Sequence, residues 1–262
     1  MKIALMSDIH GNPKAFKNAL DDAKRKKADR IVCLGDVVGY GYDPASCIAL
    51  AKENCDIVIK GNHDAGVAGE LSLRWFSETA CKGVMRHSNQ LDEADKNWLK
   101  SLNYRYRDTR HKFVCAHGTY IRPEEFEYIN QGIMAQFDLE GVSREEGGEY
   151  RIEFVGHTHY SEVYDFTIEN PRHGSYRLYS QCDGIGTFNL ENGHAYSFNV
   201  GSVGYPRNEI PSVYVIYDTC ENTVEYRRLE FDAKEYQNDL GRTGISIPHW
   251  LSKRIDCIGK KD

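Results

Sequence analysis

Five times before residue 160, a short apolar run stops at a polar cluster containing Asp, His or Asn. The clusters are Asp8-Ile9-His10, Gly35-Asp36, Gly61-Asn62-His63-Asp64, His117-Gly118 and Gly156-His157-Thr158-His159. Each run is too short for a helix and reads as a buried strand. Between the first three lie helix-like segments. Residues 14–27 repeat Phe16, Ala19, Leu20 and Ala23 at helical spacing, with Pro13 suited to a first turn. Pro44 to about Asn54 does the same with Ala45, Ile48, Ala49 and Ala51. Strands separated by helices pair in parallel through right-handed crossovers. Their polar ends therefore converge on one sheet edge, where open α/β sheets bind ligands.

The rest of the chain divides in two. Residues 71–87 and 91–102 read as helices, with Leu71, Trp75, Ala80 and Val84, then Trp98, Leu99 and Leu102, facing a core. Residues 119–150 form a less regular, helical excursion beside the site. Tyr128, Ile129, Ile133, Met134 and Phe137 are its expected apolar stripe. After residue 160 the period changes. Runs at 163–166, 175–179, 194–200, 213–217 and 224–229 alternate with turns and predict an antiparallel meander, a second sheet laid on the first. Within it, Asn199-Val200-Gly201-Ser202-Val203-Gly204-Tyr205-Pro206-Arg207 is a glycine-rich turn. It either presents Arg207 to the site or serves only as a tight turn. Residues 231–262 read as a C-terminal extension on the same domain, with a helix or two and a frayed end.

Charge excludes some partners. With 33 basic and 39 acidic residues the net charge is -6, so the basic footprint of a nucleic-acid binder is missing. A small phosphorylated substrate held through metal is compatible with that balance. No apolar run approaches the ~20 residues that span a bilayer, and the first residues lack a signal-peptide pattern. No membrane association and a cytoplasmic location are the resulting expectations. The eight Cys include no CxxC pair, and in a chain without an export signal they are expected to be buried or partly buried thiols rather than disulfides.

The strand-end residues Asp8, His10, Asp36, Asn62, His117, His157 and His159 offer seven N and O donors. That is too many for one tetrahedral site and suits two adjacent ions sharing a carboxylate. Imidazole and carboxylate without thiolate fit Mn, Fe, Zn or Ni. His87, His111, His173, His194 and His249 lack such a context and read as ordinary. No Walker loop or dinucleotide fingerprint is present.

In these five motifs, in this order, the chain strongly resembles the calcineurin-like metallophosphoesterase family. The fragments Gly35–Gly41 and Gly201–Arg207 resemble its compact prokaryotic branch of phosphodiesterases and diadenosine tetraphosphatase-like proteins. The resemblance covers residues 1–230 and implies an α/β fold, a four-layer α-β-β-α sandwich of two mixed sheets flanked by helices. It implies two divalent metal ions. Asp8, His10 and His159 would hold the first, Asn62, His117 and His157 the second, and Asp36 would bridge them. It also implies that His63 contacts the phosphate and assists the leaving group, that Asp64 orients His63, and that hydroxide between the ions attacks phosphorus in line.

The substrate class stays open at this point: a small phosphodiester, a phosphomonoester or a diadenosine polyphosphate, the last because Tyr40, Tyr42, Tyr120, Tyr128, Tyr160 and Tyr205 lie near motif fragments and could stack a base. A protein phosphatase is the alternative, although no peptide groove can be read. A non-catalytic metal-binding scaffold is the other, against which the intact ligand set argues. The oligomeric state is open.

Overall fold

The computed structural model describes residues 1–168, 176–180, 186–207 and 212–243. The first half runs β1 (Lys2–Met6), α1 (Pro13–Arg25), β2 (Arg30–Cys33), α2 (Pro44–Asn54), β3 (Ile57–Val58), α3 (Asn62–Val67), α4 (Glu78–Gln90), α5 (Glu93–Ser101), β4 (Arg105–Asp108), β5 (Phe113–Ala116), α6 (Gly132–Glu146) and β6 (Ile152–Val155). The second runs β7 (Ser161–Thr167), β8 (Tyr176–Ser180), β9 (Thr187–Asn189), β10 (His194–Val200), β11 (Ser212–Asp218), β12 (Thr223–Leu229) and α7 (Ala233–Arg242).

Two six-stranded sheets result, ordered β3-β2-β1-β11-β12-β9 and β4-β5-β6-β10-β7-β8. Both are mixed. The first is parallel across β3, β2 and β1 and antiparallel beyond. In the second, β5, β6 and β10 run parallel. Strand residues alternate faces, and β1 shows the consequence. Ile3 and Leu5 point between the sheets, where they meet Phe113, Phe154 and Phe198, while Ala4 and Met6 point outward onto the layer that contains Phe16, Leu20 and Ile48. On the far side, Val114, Ala116 and Val155 face outward into clusters with Leu139 and Val142 of α6. The order helix, sheet, sheet, helix is the expected four-layer sandwich.

Local chemistry starts the helices that frame the site. Asn12 caps α1 by accepting from the Ala15 N–H at 3.2 Å, and Asp43 caps α2 by accepting from the Ser46 N–H at 3.0 Å. Each is followed by a proline in the first turn, where a missing N–H costs nothing.

Several expectations need correction. The strands after residue 160 do not form a second sheet of their own. β7, β8 and β10 join β4–β6, whereas β9, β11 and β12 extend the sheet that β1 begins, so each sheet draws on both halves. The segment 71–87 is not one helix. A 3-10 turn at Leu73–Trp75 precedes Ser77, which caps α4 through the Ala80 N–H. Trp75 consequently leaves the core and is 72% exposed. In 119–150 the long helix begins only at Gly132. It buries Ala135, Asp138, Leu139 and Val142, leaving Ile133 and Phe137 in solvent. The short helix α3 and the edge strand β4 were not foreseen. Of the extension, α7 is described: it buries Ala233, Tyr236 and Leu240 against the first sheet's helical layer. The run from 175 begins outside the described residues, as does the expected frayed end.

Candidate metal centre

All five motifs lie just past the C-terminal ends of β1, β2, β3, β5 and β6. Backbone hydrogen bonds continue the ladder there after the strands stop. The amides of Asp8 and His10 donate to Gly35 O and Asp36 O at 3.1 and 2.8 Å, and Gly156 N donates to His117 O at 2.9 Å. The glycine-rich turn after β10 closes the same edge, its Val203 and Gly204 amides donating to Ser7 O and Asp8 O.

The backbone at these tips is unusual. Asp8, His10, Asp36, His157 and His159 all have φ between +49° and +67°, five of the nine non-glycine residues with positive φ among the described residues. The left-handed region is strained for L-residues, although Asp and His tolerate it better than most. Here it occurs at the strand ends, where the chain turns out of the sheet and Asp8, His10, Asp36, His157 and His159 gather. The hydrogen bonds between strand tips hold that geometry.

Six of the seven predicted donors fall into two groups, and Asn62 lines the same cavity as Asp36, His157 and His159. Asp8, His10 and His159 form one buried group and Asp36, His117 and His157 another, each with donor atoms within 4.8 Å. A third set, His10, Asp36 and His63, links them. Asp36 Oδ2 lies 3.6 Å from His10 Nε2 and 3.2 Å from His117 Nε2, between the two groups.

The imidazoles are oriented from behind. Nδ1 of His10, His117 and His159 donates to Val38 O, Leu34 O and Tyr205 O at 3.2, 2.7 and 2.7 Å. A proton on Nδ1 leaves the Nε2 lone pair free, the arrangement by which metal-binding histidines are tuned. Nε2 of His10 and Nε2 of His159 then face each other at 3.1 Å, two lone pairs that repel unless a cation lies between them.

The donors are also orphaned. Asp8 Oδ1, Asp36 Oδ2, Asn62 Oδ1 and His117 Nε2 are buried without hydrogen-bond partners. Buried polar atoms without partners are costly and rare. Four of them converging on one edge fit divalent cations.

Electrostatics agree. Burial opposes ionising Asp8, but His159, His10 and His117 hold its carboxyl well below the usual range. Burial likewise opposes ionised Asp36, and His117 and His63 overcome it. Burial pushes His157 and His159 down to about 3, leaving them neutral ligands. Burial would also lower His117, yet the Asp36 carboxylate beside it holds it up to about 9.

The sequence profile of the calcineurin-like phosphoesterases matches residues 1–166. The chain belongs to that family. An uncharacterized protein of Methanocaldococcus jannaschii is 30% identical over 97% of this chain and 96% of its own length. A metallophosphoesterase from Sphaerobacter thermophilus superposes with a TM-score of 0.78 at 27% identity, covering 98% of this chain and 99% of its own. A hypothetical protein from Pyrococcus horikoshii shares the fold, with a TM-score of 0.71 at 16% identity over 96% of both chains. This phosphoesterase is thus a metal-dependent hydrolase of phosphoesters.

The rest of the phosphoesterase site surrounds a cavity of about 510 Å³. Asn62, His63 and Arg207 line it beside Asp36, His157 and His159. Burial holds His63 neutral, its pKa well below the usual range, and its Nδ1 has no partner. Asp64 does not reach the His63 ring. Its carboxylate takes the backbone N–H groups of Asp36, Gly61 and Val38 at 2.8, 2.9 and 3.2 Å, tying two motif loops together. Of the tyrosines near motifs, Tyr40, Tyr128 and Tyr205 line the cavity, and Tyr42, Tyr120 and Tyr160 do not.

His87 stays outside the donor groups, as expected, but supports the backbone of the site. It is fully buried on α4, its Nδ1 accepting from Gly39 N at 2.8 Å and its Nε2 facing Gly41 O at 3.0 Å. It thereby clamps the turn after Asp36. At Gly39, with φ +132°, a Cβ would stand 2.5 Å from His63 Nδ1 and 2.7 Å from His10 Nδ1, so the two rings pack where only glycine fits. No spacing rule links His87 to that turn, because the contact spans 48 residues. His111 and His194 pair with Asp108 and Asp165, while His173 and His249 lie outside the described residues. Cys33, Cys47 and Cys115 are buried free thiols, Cys55 and Cys81 are partly covered, and Cys220 is exposed, contrary to expectation.

Among the described residues no helix is long and apolar enough to cross a membrane.

Proposed function

We propose that the chain is a binuclear phosphoesterase acting on a small phosphomonoester or phosphodiester. Asp8, His10 and His159 hold one ion, and Asn62, His117 and His157 the other. Asp36 would serve both ions, since its Oδ2 faces a histidine of each group at 3.2 and 3.6 Å. The observation that carries this reading is the convergence of buried donor atoms without hydrogen-bond partners, from Asp8, Asp36, Asn62 and His117, among the histidines at the strand ends. Divalent ions bound there supply Lewis acidity to a phosphoryl group and acidify a water enough to act as nucleophile near neutral pH. Mn, Fe, Zn and Ni all suit this donor set.

The chain's own residues do the rest. His63 lines the cavity and delivers a proton to the leaving oxygen as imidazolium, the negative charge of a bound phosphate offsetting the burial that otherwise keeps the ring neutral. Its ring is held between Tyr40 at 4.6 Å and Phe76 at 5.2 Å, so it meets the substrate in one orientation. Asp64 is a positioning residue, acting on His63 through backbone amides rather than by touching its ring. Arg207 at the rim pairs with a phosphate oxygen, as a planar guanidinium does well.

The test is a hydrolysis panel on metal-stripped protein reloaded with single metals, with metal content counted alongside. Two ions per chain and turnover lost in both Asp36→Ala and His63→Ala are expected. Full activity with one ion per chain would overturn the binuclear assignment.

A further inference from the structure

The cavity is far roomier than a phosphate group requires and lies within the ~300–1,000 Å³ range of sites for drug-sized ligands. What fills the remainder is set by the walls. On the His63 side the wall is Phe76 and Trp75, and across from it Tyr128 lies flat on the His157 ring, centroids 3.9 Å apart at 5°. Tyr40 and Tyr205, stacked at 4.2 Å and 15°, also line it.

Trp75 stands out among these. A tryptophan 72% exposed leaves a large apolar face in water, and side chains of that size are usually well covered. Its partner in the structure is the guanidinium of Arg74, 5.4 Å from the ring centroid. Yet the turn that carries it is well anchored. Trp75 N and Phe76 N donate to Ser72 O and Leu73 O at 3.2 and 3.0 Å, and Cys81 Sγ donates to Leu73 O at 3.2 Å. Phe76 packs on Gly66, where a Cβ would come within 2.9 Å of its ring. The indole is thus held at the mouth by a structured turn instead of swinging on a loose loop. A preorganised surface loses little entropy when a ligand stacks on it.

Position decides which part of the substrate meets Trp75. Phe76 packs edge-on against His63, and Trp75 is the next residue. If His63 serves the leaving oxygen, the group beyond that oxygen extends along the Phe76–Trp75 wall. We propose that Trp75 is the specificity-determining residue of this enzyme and selects phosphoesters whose leaving group carries a flat aromatic ring, such as a nucleobase, by stacking that ring on its exposed face. This rests on the role given to His63 above.

The discriminating pair is adenosine 5′-monophosphate and ribose 5-phosphate, which share the leaving oxygen and differ by the base. Phenyl phosphate tests a flat ring attached directly to that oxygen. Stacking of a base on an aromatic side chain is worth enough to change affinity by roughly tenfold or more. The wild type is expected to prefer adenosine monophosphate in kcat/KM. Trp75→Ala should cut that preference about tenfold, mainly through KM, and Trp75→Phe should keep most of it. Calorimetry with the non-hydrolysable phosphonate analogues of the same pair, on manganese-loaded protein, gives a readout independent of turnover. Should no ester be hydrolysed, the proposed function fails, and the binding gap still decides this inference. A preference for phenyl phosphate that falls in Trp75→Ala, with none for adenosine monophosphate, would assign the ring to an aryl ester. Equal binding of both phosphonates by the wild type, or a gap unchanged in Trp75→Ala, would overturn the assignment.

Discussion

At the scale of single residues, the site is built against backbone preference. Each non-glycine residue held at positive φ costs on the order of 1 kcal/mol or more, and the neighbouring strand ends of the two sheets hold five of them together. Asp36→Ala removes the carboxylate that faces both ligand groups, so metal content measured by elemental analysis is expected to fall below that of the wild type. His63→Ala is expected to keep its metal and lose roughly 10²–10⁴-fold in kcat, the usual contribution of a positioned acid. Comparing metal content with rate separates the two roles. His87 gives a less obvious prediction. His87→Phe strands the buried Gly39 N–H, which costs about 1–3 kcal/mol, and lowers the melting temperature. Because that turn packs on His10 and His63, kcat should drop as well, although His87 touches neither metal donors nor substrate.

At the scale of elements, capping residues explain both the success and the failure of periodicity. α1 and α2 begin where a capping side chain and a proline coincide, and their apolar spacing then predicts the buried face. Asp43→Ala should cost about 1 kcal/mol, read as a lower melting temperature. In 71–87 the apolar residues also fall near helical spacing, but Ser77 starts a new helix there, and that switch moves Trp75 from core to rim. In α6 the same spacing rule chose Ile133 and Phe137, but the face that packs on the second sheet carries Ala135, Asp138, Leu139 and Val142. The metal motifs escaped such errors because they sit at strand ends, where a short apolar run and a polar stop leave little choice of phase.

At the scale of the molecule, the second sheet and α6 bury a carboxyl between them that the chemistry of the site does not use. Glu153 on β6 is fully buried near Asp138 and Ser197, and burial and the Asp138 charge push its pKa well above the usual range. A folded pKa above the unfolded one means the group favours folding at low pH and loses that contribution as pH rises towards the folded value. Glu153→Gln should therefore gain over the wild type as pH rises from 5 to 8, by on the order of 2–4 °C in melting temperature for each ~1 kcal/mol. A constant gap across that range would show that the carboxyl does not titrate as described. Chelation should lower the melting temperature reversibly, since ions that bind only the folded chain stabilise it by mass action. The sequence alone determined the α/β alternation of the first half, the family resemblance and the candidate donors at the strand ends, because these follow from local runs and their polar stops. Only the tertiary structure decided that each sheet draws on both halves of the chain, that Asp64 grips backbone instead of His63, that His87 clamps the Gly39 turn, and that Trp75 stands at the mouth. These are contacts between residues distant in sequence or shifts of helix phase, and no local periodicity encodes them.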